Sequence, residues 1–441
     1  MFTEDAQPRD YRRNAACFLV DYVTYAVGIV FINVTTVLPS LVRQLTDSTI
    51  LIGLITTIQA AGYLLPQLVA ARWVQGRAKK RRFITIPGLI GRPAIWVVAA
   101  TIALFGSSRP NLTLAVFFAG FMLLSFTEGL ISVPLFDVFA KVIPVTRRGR
   151  LLGTAQVIYG ILALGASAVI TYLLGAESAL GFPYNYAVLF LLAGVGLAVS
   201  LVALASIREP EGTLEGAIEQ PDTPRVGYLR LLAHIVSHDR RFVALVVTRA
   251  LLGYAGMAYP FYVLSATDAL GLGEQTIGLF VLAQMGGSIL GGIVLGALNE
   301  RRGSIAVIRV NVGISLAMPL TGVLVHMLSG SVLHGALLYL YVIVFLAIGL
   351  VNSSLMLGFI PCLLEIAPEG ERPVYLGLAN TLNALILPAA LIGAWILEMT
   401  SFPVLFLVSA CCSGLAALPA SRIARQKERV LVTPCPSDDP A

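Results

Sequence analysis

An all-α membrane protein, with 12 transmembrane helices in two pseudo-symmetric six-helix bundles, is the fold class this sequence predicts, and three observations predict it. The first is composition: 57% of the 441 residues are hydrophobic and 12% are charged, and the mean hydropathy is +0.85. A soluble domain is roughly half apolar and a quarter charged. The second is that the apolar residues come in runs of about twenty, the length that crosses a ~30 Å hydrocarbon core at 1.5 Å per residue. The third is an internal repeat.

The repeat rests on two segments. Shifted by 224, Glu128 to Gln156 lands on Asn352 to Asn380, setting Pro144 against Pro368, Arg148 against Arg372, Gly153 against Gly377 and Ala155 against Ala379. At a shift of 225, Ile52, Gly53, Gln59 and Gly62 meet Ile277, Gly278, Gln284 and Gly287. Two distant segments agreeing on one offset predict two similar halves in the same orientation.

Apolar runs fall at Cys17 to Val42, Ile50 to Val74, Phe83 to Gly106, Leu112 to Ala140, Leu151 to Leu174 and Tyr184 to Ile207. They resume at Phe242 to Ser265, Thr276 to Leu298, Ile305 to Leu328, Val332 to Leu364, Tyr375 to Glu398 and Phe402 to Ala420. The expected organisation is an N-terminal bundle over 1–207, a linker over 208–241, a C-terminal bundle over 242–420 and a disordered tail over 421–441. Within the linker, Tyr228, Leu231, Leu232 and Ile235 follow a helical spacing with arginines on either side, which suits a helix lying on the membrane surface or a plain exposed one. The basic patch Arg9, Arg12 and Arg13 resembles a signal peptide, but the run behind it is too long and carries Asp21, so a retained first helix is expected.

A net charge of +6 could suggest nucleic acid, but the distribution of the charge argues for a membrane instead. Lys and Arg crowd the loops on the side of the N-terminus, and the opposite loops hold only Arg43 and Arg109. By the positive-inside rule both termini and the linker are cytoplasmic. The five cysteines have no metal-ligand spacing, so neither a disulfide nor a metal is expected. HExxH, Gly-x-Ser-x-Gly and a phosphate-binding glycine loop with lysine are all missing from the sequence, so neither an enzyme nor an ATP-driven pump is expected, and no cofactor.

After the eighth run stands GALNERRG, Gly296 to Gly303. It resembles the loop signature G-x-L-x-D-R-x-G of the major facilitator superfamily, with Glu300 at the acidic position and Arg301 behind it. On that reading Gly296 lets helices approach closely. The first-half equivalent has Gln75 at the acidic place. The pairs Pro144 with Arg148 and Pro368 with Arg372 also resemble the turns of that family into its fifth and eleventh helices. The resemblance covers essentially the whole chain. It implies a transporter of the kind found in bacterial inner membranes, monomeric, with a central cavity lined by helices 1, 4, 7 and 10. The fifth helix lacks the Gly-Pro pair usual in drug antiporters of the family, which counts against multidrug efflux.

Four ionisable residues stand inside apolar runs, where each costs about 2.5 to 3.5 kcal/mol on insertion scales: Asp21, Arg92, Glu128 and Arg249. All four could meet in the cytoplasmic half. Ser125, Glu128 and Ser132 share a stripe, as do Asp21, Tyr25 and Gly28, while the seventh run offers Arg249 and Tyr254. Under the repeat, Glu128 corresponds to Asn352. Arg92 or Arg249 could equally form a structural ion pair, and Asp21 could sit at headgroup level. Asp137 lies near Lys141 and Arg147 and suits an inner gate or loop anchor. His326 and His334 are expected to be exposed, and Gln59 and Gln284 to bridge helices.

The expected activity is secondary transport of a small organic solute by alternating access. Protons are the coupling ion, Glu128 is the first candidate for carrying them, and Arg249 and Arg92 hold an anionic group. The alternative is a lipid-handling or partner-binding protein of the same fold, which would need a side opening and an apolar cavity.

Overall fold

The computed structural model describes residues 8–74, 77, 79–175, 178–209, 235–329, 334–368 and 372–432. Twelve helices in it are long and apolar enough to cross a membrane. They are α1 (Asp10–Phe31), α2 (Thr49–Gln67), α3 (Arg82–Phe105), α4 (Pro110–Val142), α5 (Arg150–Leu174) and α6 (Tyr184–Ala205), followed by α7 (Arg240–Leu270), α8 (Thr276–Arg302), α9 (Ser304–Leu328), α10 (Ala336–Ile366), α11 (Val374–Met399) and α12 (Phe402–Ile423). With an even number of spans, the start of α1 and the end of α12 lie at one end of the molecule.

The two bundles pack by equivalent contacts, and glycines at repeat-related positions make them. At Gly62 on α2 an added Cβ would come within 2.6 Å of the Ser125 side chain on α4, and at Gly287 on α8 it would run into the Leu346 carbonyl on α10. At Gly53 the Cβ would lie 2.6 Å from the Ala390 carbonyl of α11, and at Gly278 it would meet Thr171 of α5. So α2 and α8 each approach one helix of their own bundle and one of the other. Gly296 does not share this role, contrary to the expectation: a Cβ there meets nothing within 4 Å, because α8 approaches α10 further back, at Gly287 and Gly291. Gly303 does need to be glycine, since its φ of 79° makes the turn into α9.

Several helices are interrupted. α3 breaks at Arg92 and Pro93. α7 passes through a 3-10 turn at Gly256–Phe261 that contains Pro260, α10 through a π turn at Leu355–Phe359, and α11 through a 3-10 turn at Ala384–Ile386 before Pro388. The last helix continues through Pro419 to Val432, past the point where the sequence suggested a disordered tail. Residues 433–441 and the linker positions Tyr228, Leu231 and Leu232 lie outside the described residues. Ile235 is buried beside Phe242.

At the terminus-bearing end, charged groups fix the loops. The Glu209 carboxylate accepts from the backbone N–H of Lys80 at 2.8 Å and of Arg81 at 3.0 Å, which caps the start of α3. Lys141 also reaches Glu209, at 3.3 Å. Asp137 pairs with Lys80 at 2.8 Å, rather than with the sequence neighbours Lys141 or Arg147, because α3 begins beside α4. Arg148 donates to the Ile143 and Ala140 carbonyls at 2.9 and 2.6 Å. It satisfies the last turn of α4 across the Pro144 bend, which is a physical reason for the Pro-x-x-x-Arg spacing. The Arg372 side chain lies outside the described residues. In the second half the Ser304 hydroxyl donates to the Glu365 carboxylate at 2.9 Å, joining the start of α9 to the end of α10. Glu300 and Arg301 are exposed at the end of α8.

Candidate functional site

Three of the four intramembrane charges meet, and they do so inside the N-terminal bundle. Arg92 Nε donates to Glu128 Oε1 at 2.8 Å. Its other nitrogens reach Glu128 Oε2 at 3.5 Å, Ser200 Oγ at 2.7 Å and the Leu197 carbonyl at 3.0 Å. Ser200 in turn donates to Asp21 Oδ1 at 2.5 Å. The Tyr25 ring lies 5.4 Å from the guanidinium. The set is deeply buried: Asp21 is 7% exposed, Arg92 4%, Glu128 8% and Ser200 0%. The break in α3 makes this possible. Gly91 packs directly on Thr127 of α4, which brings Arg92 to the turn that carries Glu128.

Of the stripe of Asp21, Tyr25 and Gly28, Asp21 and Gly28 pack on α6, while the Tyr25 ring lies against Arg92. A Cβ on Gly28 would lie 3.0 Å from the Ala193 carbonyl, and one on Gly196 would lie 2.7 Å from the Thr24 carbonyl. This backbone approach places Asp21 against Ser200. Ser200 itself was not legible as a site residue, because its importance depends on which helix lies opposite.

Arg249 stands apart. It lines a cavity of about 320 Å³ between the bundles, with Phe359, Gln67, Asn380 and Asn383 among the walls. Its guanidinium lies 5.8 Å from the Phe359 ring. No ion pair to it is present among the described residues, and the cavity lining contains no carboxylate. The expected meeting of all four charges therefore does not occur in this conformation, since Arg249 belongs to the opposite bundle.

The cavity is walled by α2, α4, α7, α10 and α11. Helix 1, named by the expectation of helices 1, 4, 7 and 10, gives no residue to the lining among the described residues, and its Gly28 face is used against α6. Asn352 is exposed one turn before Leu355, which lines the cavity along with Phe359. Tyr254 donates to the Leu385 carbonyl at 2.8 Å and ties α7 to the broken turn of α11. Asn380 and Asn383 went unremarked in the sequence, although two amides three residues apart in an apolar run are a readable signal.

The bundles touch at the end away from the termini. Gln284 accepts from Asn33 at 3.3 Å and from Thr35 at 2.9 Å, joining the bundles as expected of a bridging residue. Thr49 reaches the Ala394 carbonyl at 3.2 Å. Arg43 and Asp268 approach to 4.0 Å. His326 is half-buried rather than exposed, hydrogen-bonded to Ser265 at 2.8 Å and stacked on Phe402. The His334 side chain lies outside the described residues.

Also at this end, Gln44 donates to Glu274 across the two bundles. Burial pushes the Glu274 carboxyl above its ordinary value of 4.5, and hydrogen bonds from Gln44 and Tyr186 pull it only partly back. The pKa is higher in this closed arrangement than when the group is hydrated. The cost of burying its charge is therefore absent at low pH and enters as pH rises through and above 4.5. Spin labels on Asp47→Cys and Ser401→Cys are expected to report a closer far end at acid pH than at neutral pH. Glu274→Gln should remove that dependence.

The sequence matches the Major Facilitator Superfamily model over residues 22–391. None of the curated proteins matches it. Among solved structures the fold is similar to a bacterial homologue of the iron transporter ferroportin in an inward-facing state, with TM-score 0.70 and 14% identity, covering 93% of this chain and 98% of that one. It is also similar to a D-xylose-proton symporter, with TM-score 0.67 and 15% identity, covering 92% and 97%. The nucleoside transporter NupG aligns with TM-score 0.60 and 12% identity, covering 95% and 99%. Identities this low speak for the fold alone. The family match, by contrast, extends through both bundles and the cavity between them, and the chain belongs to the Major Facilitator Superfamily of membrane transporters.

Proposed function

We propose that this protein is a proton-coupled secondary transporter for a small organic solute bearing an anionic group. The observation that carries the reading is Arg249, a cation lining the cavity between the bundles with no carboxylate beside it among the described residues. A cation half-withdrawn from water and left without a counter-ion favours an anionic ligand. Asn380, Asn383 and Gln67 add neutral donors around it, and Phe359 and Phe136 offer apolar surface for the remainder of the solute. This lining favours a solute with a polar head over the lipid-handling alternative, which calls for an apolar cavity.

Proton coupling is assigned to the buried cluster. Two carboxylates, Asp21 and Glu128, share one guanidinium, so the group carries an uncompensated negative charge unless one proton is bound. Glu128 touches Arg92 directly, and Asp21 reaches it only through the Ser200 hydroxyl. The proton therefore resides on Asp21 while Arg92 holds Glu128. It passes to Glu128 when movement of α4 weakens that pair. In this reading the bundles over 1–207 and 242–420 rock about the cavity, exposing it to each side in turn. Both termini and the linker are cytoplasmic, as the crowding of basic residues at that end supports. The functional unit is the monomer.

The test uses purified protein and a panel of organic anions. Arg249→Ala is expected to abolish thermal stabilisation by the anion that stabilises the wild type, while leaving the melting temperature without ligand nearly unchanged. In vesicles carrying a pH indicator, that anion should move protons with the wild type. Asp21→Asn combined with Glu128→Gln should bind the anion and move none. Undiminished proton movement in the double variant would refute the coupling role.

A further inference from the structure

We propose that the solute is an aromatic monocarboxylate, an inference that rests on reading Arg249 as the holder of an anionic group. The cavity of about 320 Å³ lies at the lower end of the ~300–1,000 Å³ range of small-molecule sites, a size for one ring and a short side chain. Among the described residues Arg249 is the one charged group in its lining. A guanidinium meets a carboxylate through two parallel hydrogen bonds, so a single negative charge on the solute is answered. A second carboxylate or a phosphate dianion would bring in a charge with no cation to meet it. The ammonium of an amino acid would find no carboxylate, and an unpaired charge withdrawn from water is costly.

The rings in the lining assign the body of the solute. Phe359 is buried and already set against the Arg249 guanidinium. Phe136 differs: it lines the same cavity, is 66% exposed, and has no other ring packed on it among the described residues. Arg249 stands nine residues past the start of α7 at Arg240, and Phe136 six residues before the end of α4 at Val142. At 1.5 Å per residue these positions are about 14 and 9 Å from the terminus-bearing end. The carboxylate therefore lies deeper and the ring about one helical turn nearer that end, an offset that a spacer of two carbons spans. Stacking of one ring on another adds roughly two- to tenfold in affinity beyond equal apolar area.

The experiment titrates the purified protein calorimetrically with 3-phenylpropionate and with 3-cyclohexylpropionate, which matches it in charge and carbon count. Phenylsuccinate, phenylalanine and 3-phenylpropanamide complete the set as dianion, zwitterion and neutral body. The phenyl acid should bind about fivefold more tightly than the cyclohexyl acid, and more tightly than the other three. Phe136→Leu should reduce the preference between the two acids to about twofold or less. Equal binding of the two acids by the wild type, or a preference that survives Phe136→Leu in full, overturns the aromatic assignment and leaves the role of Arg249 standing. Tighter binding of phenylsuccinate or phenylalanine overturns the single charge. Binding of the amide as tight as that of the acid would instead refute the anionic reading itself. Should 3-phenylpropionate fail to bind while an anion without a ring binds, and Arg249→Ala abolish that binding, the aromatic assignment fails alone.

Discussion

Arg92→Ala is expected to destabilise the protein by about 3–5 kcal/mol, the cost of leaving a buried ion pair without one partner. Two carboxylates with less than a tenth of their surface exposed would then share no cation, and the Leu197 carbonyl and Ser200 hydroxyl would each lose a donor. Arg92→Lys should recover only part of the loss. One ammonium cannot serve Glu128, Ser200 and Leu197 with the fork of a guanidinium. Pairing Arg92→Met with Glu128→Gln should recover more, because the orphaned charge goes as well. Thermal unfolding in detergent across the four proteins measures this. A double variant no more stable than Arg92→Ala would mean that the pair is not the source of the loss.

Gly287→Ala is expected to cost ~2 kcal/mol or more, in the upper range for overpacking, whereas Gly286→Ala and Gly292→Ala should be near neutral. The three positions differ in what they face, not in conformation. At Gly287 a methyl group would strike the Leu346 backbone, which cannot rotate away, and on the reverse side Gly349 meets the Gln284 carbonyl. At Gly286 and Gly292 a Cβ meets nothing within 4 Å. Because α8 also touches α5, separating it from α10 should disturb the contact between bundles as well. A comparison of the three melting temperatures tests this, and equal values would show that α8 and α10 have room to yield.

Much of the fold was legible because it depends on quantities a sequence carries directly. Run length marks the spans, and the repeat marks equivalent packing: Gly53 and Gly278, or Gly62 and Gly287, make like contacts in the two halves. The charges were legible as exceptions to an apolar background, but their pairing was not. Arg92 and Arg249 lie at similar depths along their helices, yet one is enclosed by hydrogen bonds and the other faces a cavity. That difference comes from the break at Pro93 and from the glycine contacts that turn α1 toward α6. Gly296 was misread for the opposite reason: a glycine in a motif says nothing of whether another backbone is near. The interruptions in α7, α10 and α11 were likewise unread: Pro260, Pro361 and Pro388 stand at them, but Pro66, Pro134 and Pro319 stand inside helices that continue, so a proline alone does not tell a break from a tolerated one.

The contacts at the far end differ in kind from those inside the bundles. Between bundles stand neutral amide and hydroxyl hydrogen bonds at Asn33, Thr35 and Gln284, and a wide, exposed Arg43–Asp268 pair worth under about 1 kcal/mol. Within the N-terminal bundle stands a dry guanidinium–carboxylate pair. Water can replace the first set bond for bond as the bundles part, whereas the second lies wholly within one bundle. Among the described residues no buried ion pair crosses between the bundles, and the seam between them is the surface along which the molecule yields first.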